Sequence, residues 1–173
     1  MAALAPRRLM AMTTAAAAAA VLVGWMGFRS SADRPLSAAE QMARALAFNQ
    51  AVPLVLAAVP ASERPAALQG MKLPANQQAE LEQQQAELVH LTLWDDMAED
   101  GDVVTIDCDG FRQSVTLKHA PVTIAIPRPR TGLMSLTGVF DGGGGITVAV
   151  SSGAGRVPLP WLSVGQSVGV PVR

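Results

Sequence analysis

From Leu88 onward the chain alternates apolar and polar residues with a period of two. Val89, Leu91 and Leu93 alternate with His90, Thr92 and Trp94. Successive side chains of an extended chain point to opposite faces, so this pattern predicts a strand. Val104, Ile106 and Cys108 share one face of the next run, and Asp109-Gly110 follows as a hairpin turn signal. Phe111 to Leu117 answers it as the returning strand. Val122, Ile124 and Ile126 alternate with Thr123 and Ala125, Leu133 to Phe140 forms another run, and Ile146, Val148 and Val150 alternate with Thr147 and Ala149. Ser151 to Arg156 reads as a loop. Pro158 and Pro160 restrict the next stretch to extended, edge-like structure, and Val168 and Val170 close the chain. About seven short strands with turn signals at sandwich-like spacing predict a mainly β fold, a small immunoglobulin-like β-sandwich over residues 88–173. With about three aliphatics per strand facing inward, that domain is marginal alone, and preceding helices or a partner are expected to complete its core.

The period is different before Leu88. Ser37 followed by Glu40 matches a capping box and predicts a helix from Ala38 to about Gln50. Met42, Leu46 and Asn49 fall on one face of it, beside Ala38 and Ala45. Pro53 ends it. Val52 to Val59 is apolar but too short to span a bilayer, so it is expected to pack on the body or lie at a membrane surface. Pro60, Pro65, Gly70 and Pro74 break the next stretch into a linker with one helical turn at Ala66–Gln69. Ala75 to Glu87 is rich in Gln and Glu and predicts a helix with a thin apolar stripe, a solvated spacer. Residues 33–87 are therefore read as a helical, Pro-interrupted connector.

Leu9 to Phe28 contains no charged residue, with Arg7 and Arg8 before it and Arg29 after it. Twenty helical residues reach roughly 30 Å, the thickness of a bilayer's hydrocarbon core. Basic residues stay on the cytoplasmic side, and Trp25 and Phe28 suit an interfacial belt at the outer end. Residues 1–32 are read as a signal anchor and transmembrane helix preceding the connector. The competing reading is a signal peptide cleaved after Ser30-Ser31-Ala32. The expected location is a bacterial inner membrane, crossed once through residues 9–28, with the N-terminus cytoplasmic and the body periplasmic or extracellular.

Charge narrows the partners. The net charge is −1, and Glu80 to Asp109 holds ten of the fourteen acids with no Lys or Arg. Phosphate contacts need Lys and Arg, so nucleic acid is not an expected partner. A single cysteine, Cys108, excludes a disulfide framework within the chain and a multi-thiolate zinc site. Its alternation with Val104 and Ile106 places it in the core.

Three segments together, Leu91-Thr92-Leu93-Trp94-Asp95-Asp96, Glu99-Asp100-Gly101-Asp102-Val103-Val104 and Pro121 to Pro127, give the stretch 88–150 a recognisable pattern. It resembles bacterial secreted β-sandwich domains with a Trp-Asp and Asp-Gly-Asp signature. The resemblance implies architecture and carries no activity. The four-glycine turn and the Pro-rich tail depart from it.

The strongest chemical feature is the set Asp95, Asp96, Glu99, Asp100 and Asp102, joined from another loop by Asp141. Hard cations such as calcium take oxygen ligands from such loops, although no EF-hand frame is present. The plainer reading is a solvated loop with an Asp capping a turn. The same acids fit glycoside hydrolysis poorly, since sugar-stacking aromatics are scarce. His90 and His119 are too few for a metal site. No Gly-x-Ser-x-Gly elbow occurs, and the glycines 142–145 lack the Lys-Ser/Thr and helix of a phosphate loop.

Trp94, Leu159, Trp161 and Leu162 are the candidate contact residues, with Pro158 to Leu162 the best candidate for an exposed apolar patch. The Trp residues equally suit core packing. The leading expectation is a membrane-tethered, non-catalytic interaction or assembly module of the bacterial cell envelope with an envelope protein partner. The alternative is a calcium- or ligand-binding β-sandwich using the loop 95–102.

Overall fold

A computed structural model of the chain describes residues 34–71, 73, 75–83 and 86–173. The expected membrane span Leu9–Phe28 and the candidate cleavage site lie outside the described residues. Among the described residues no helix is long and apolar enough to cross a membrane.

Helix α1 spans Ala38–Ala51 and starts at a complete capping box. The Ser37 hydroxyl accepts from the Glu40 amide, and the Glu40 carboxylate accepts from the Ser37 amide at 2.8 Å. Two otherwise orphaned donors are satisfied this way. The helix ends at Val52, which is extended and precedes Pro53. The face of α1 that carries Met42 and Leu46 is not the one that docks. Met42 and Leu46 are exposed, while Phe48 is buried and Arg44 lies on the same side. The reason is electrostatic, because Arg44 reaches a nearly buried carboxylate on the body, Asp96.

After α1 come β1 (Ala57–Ala58), α2 (Arg64–Gln69) and α3 (Ala75–Glu82). Then follow β2 (Leu88–Trp94), β3 (Val103–Cys108), β4 (Phe111–Thr116), β5 (Val122–Pro127), β6 (Leu133–Phe140), β7 (Ala149–Ser152), β8 (Gly155–Pro158) and β9 (Ser167–Pro171). The fold is mainly β, with two antiparallel sheets packed together. In one sheet β2 pairs with β5 on one edge, with β1 and β7 in succession on the other, and β8 lies beyond β7. The other sheet runs β4-β3-β6-β9.

The expected alternation is realised. Val89, Leu91 and Leu93 of β2 face Val104, Ile106, Cys108, Leu136 and Val170 of the second sheet across one apolar core. Asp109 and Gly110 both have positive φ, 52° and 90°, and close the β3–β4 hairpin in two residues. That geometry suits Asp-Gly.

Two stretches differ from the sequence reading. Residues 151–156 are a tight hairpin rather than a loop, with Ser152 opposite Gly155, so eight strands, β2 to β9, lie from Leu88 onward. The run 146–150 enters strand β7 only at Ala149. Thr147 gives its amide to the Asp102 carboxylate at 3.2 Å instead of to a neighbouring strand, and Ile146 is left as an isolated bridge to Leu162.

The segment before β2 supplies core. Phe48, Leu54 and Leu56 join the main cluster, and Val59, Leu81 and Leu88 form a second one. Leu54 bonds across to the last strand region through Pro171 and Arg173. Helix α3 stops at Glu82 rather than Glu87, and Leu81 on it is buried. Replacing Leu54, fully buried, with Ala is expected to lower unfolding free energy by about 2–5 kcal/mol in urea titrations followed by circular dichroism. A change under about 0.5 kcal/mol, the surface value, would show that this segment does not contribute to the core.

Candidate functional site

Strand β2 ends at Trp94, and the next two residues are both aspartates. Alternation sends them to opposite sides. Asp95 turns inward and is 1% exposed. Asp96 turns toward α1. At the start of β3 the chain presents Asp102, also 1% exposed, and the loop between carries Asp100. The loop after β6, residues 141–145, packs over this end. A Cβ on Gly142 would lie 2.0 Å from the Asp100 carbonyl oxygen, so only glycine permits this approach.

Asp95, Asp100 and Asp102 each offer a carboxylate oxygen within 4.8 Å of the others. Asp95 Oδ1 accepts from the Met97 amide at 3.0 Å and the Thr147 hydroxyl at 2.8 Å. Asp102 accepts from the Gly142 amide at 3.0 Å and the Thr147 amide at 3.2 Å. Asp95 Oδ2 is buried without any hydrogen-bond partner, and Asp100 is hydrogen-bonded to the Asp102 carboxyl when that group holds its proton. Among the described residues no Lys, Arg or His forms an ion pair with any of the three. Burial pushes the Asp102 carboxyl up to about 7, against the pull of the Gly142 amide, and the Asp100 charge adds to the rise. Burial also raises Asp95, against the Met97 amide and Thr147 hydroxyl. The result is a cluster of buried carboxyls that ionise reluctantly, with Asp95 Oδ2 left without a donor.

The remaining acidic candidates are engaged elsewhere. Asp96 receives both guanidinium nitrogens of Arg44 at 2.9 Å and that of Arg156 at 2.7 Å. Glu99 accepts from the His119 amide at 2.7 Å. Asp141 Oδ1 accepts from the amides of Gly143 and Gly145, holding its own turn.

Of the candidate contact residues, Leu159 and Leu162 are fully buried, so the Pro158–Leu162 stretch presents no apolar patch through them. Trp161 is half-buried and lies on Gly145, where a Cβ would meet its ring at 1.9 Å. Its indole N–H donates to the Gly144 carbonyl at 3.4 Å. Trp94 is half-buried with the Arg156 guanidinium 5.9 Å from its ring centroid, within cation–π range. Cys108 is buried, and burial with the flanking Asp109 and Asp107 charges pushes its thiol up to about 12, which keeps it protonated and unreactive. His90 lies 3.4 Å from Glu63.

Thr147 is the contributor that the sequence pattern hid. It stands between Ile146 and Val148 where alternation places an outward residue, yet it is buried and bonds both Asp95 and Asp102. Arg44, on a different element, is likewise invisible to local patterning. No family model, curated protein or solved structure matches the chain.

The raised Asp102 carboxyl makes stability depend on pH. The folded state holds this proton up to about pH 7, whereas an unfolded Asp releases it near 3.8. Between those values the folded state binds more protons, so stability falls as pH rises through that window. In chelator, the thermal midpoint is expected to decline from about pH 5 to about pH 8, and Asp102→Asn is expected to flatten the decline. A midpoint rising over that range in both proteins would contradict the assignment.

Proposed function

We propose that the chain is a membrane-tethered, non-catalytic binding module of the cell envelope whose β domain holds a hard divalent cation, calcium, at Asp95, Asp100 and Asp102. The observation that carries this reading is the buried, partnerless Asp95 Oδ2 within a cluster of three carboxylates, none of which makes an ion pair among the described residues. Calcium takes its oxygens at about 2.3–2.6 Å, and one oxygen from each of the three carboxylates lies within 4.8 Å of the others, close enough to share one ion. A cation supplies the counter-charge that buried carboxylates require.

The Trp-Asp and Asp-Gly-Asp segments that carry the resemblance to secreted β-sandwich domains contribute all three ligands, Asp95, Asp100 and Asp102. The sandwich's finer, immunoglobulin-like form belongs to the same proposal and draws support from strands that alternate between two antiparallel sheets. The tether rests on the charge-free run Leu9–Phe28. An N-in orientation places the body outside the cytoplasm, where calcium sites of about 10⁻⁴–10⁻³ M affinity are filled. A protein-docking role through Leu159 and Leu162 has less support, because both are core.

Full-length protein in mild detergent is expected to melt roughly 3–10 °C higher in about 5 mM calcium than in chelator, from mass action on the folded state. Asp100→Asn is expected to remove that shift. Wild-type protein with an unchanged midpoint at about 10 mM calcium, well above the usual affinity range, would sink the reading.

A further inference from the structure

We infer that the segment Arg34–Ser37 is a strap over the cation site, and that cation binding and docking of this strap with α1 stabilise each other. The inference rests on the cation reading above. Arg34 and Leu36 line one small cavity together with Ala98, Asp100, Gly144 and Thr147, so of the three carboxylates it is Asp100 that the strap meets. Its volume, about 10 Å³, matches one water-sized occupant. Leu36 is only 7% exposed although it lies in neither a helix nor a strand. What holds it is local. Its carbonyl accepts from the Gln41 side chain at 2.9 Å, and the next residue is the N-cap of α1.

The floor beneath Leu36 is the loop that bears the carboxylates. A cation shared by Asp95, Asp100 and Asp102 would tie the loop that bears Ala98 to the ends of β2 and β3, so without one this loop opens more readily. Opening would carry Ala98 away from Leu36. It would also move Asp96, which is covalently joined to Asp95 and is the ion-pair partner that docks Arg44 and hence α1. Arg44 also donates to the carbonyls of Leu159 and Val148, and Val148 adjoins Thr147, the donor to both Asp95 and Asp102. Strap, helix and carboxylates therefore share one short, contiguous set of contacts. Two sites linked this way affect each other by the same factor in both directions.

The test is hydrogen exchange on the full-length protein in detergent, with calcium itself as the probe. Saturating calcium is expected to slow amide exchange of residues 36–41 by about fivefold or more, the lower range of ordinary coupling. Helix α2, away from the site, serves as the control and is expected to change little. Asp100→Asn is expected to show no slowing. By reciprocity, Leu36→Ala is expected to raise the calcium Kd, read by titration calorimetry, by up to that factor. If calcium raises the melting midpoint but residues 36–41 exchange unchanged, or slow only as much as α2, the strap is refuted and the cation site stands. If calcium leaves the midpoint unchanged, both fall.

Discussion

A carboxylate taken out of water must find a partner or give up its charge, and the two aspartates after β2 meet this constraint in opposite ways. Asp96, with 2% of its side chain exposed, is answered by Arg44 and Arg156. That arrangement brings α1 against the body and fixes which side of the helix is buried. Asp95 makes no ion pair; its Oδ1 takes the Met97 amide and the Thr147 hydroxyl, and its Oδ2 has no donor. Asp100 and Asp102 gather at the same place. The end of the sandwich where β2 leads into β3 thus contains one settled charge and one unsettled cluster, joined through a single peptide bond.

The surrounding architecture follows from keeping that end closed. Gly142 allows the second loop to touch Asp100, and Gly145 lets the Trp161 indole approach the turn closely. Asp141 commits its carboxylate to the amides of that same turn. Thr147 leaves the strand ladder to bond the two aspartates, which delays β7 to Ala149. Each of these features costs regular structure locally.

Much of the fold was legible in the sequence. The alternating runs marked the strands 88–94, 103–108, 111–116, 122–127 and 133–140 almost to the residue, because burial on one face writes a period of two into the chain. The capping box and the Asp-Gly turn were equally legible, since each is a local hydrogen-bond or φ requirement. The failures involve distant partners. Nothing near Arg44 announces Asp96, fifty-two positions away. Thr147 follows the alternation while serving another element, and Ser151–Arg156 disguised a hairpin as a loop. The site was half legible: the loop 95–102 was evident as an acidic run, but which acids converge depends on the strand ends. Asp96, Glu99 and Asp141 are indistinguishable in sequence from Asp95, Asp100 and Asp102.

The central claim is that these three carboxylates hold one cation, and terbium, a luminescent stand-in for calcium, tests it most directly. Trp161 lies on Gly145, which lines the same cavity as Asp100, so indole excitation can sensitise a bound ion. The account predicts saturable terbium emission at one ion per chain, displaced by calcium and lost in Asp100→Asn. Emission that is absent, or that persists in Asp100→Asn and ignores calcium, would contradict it.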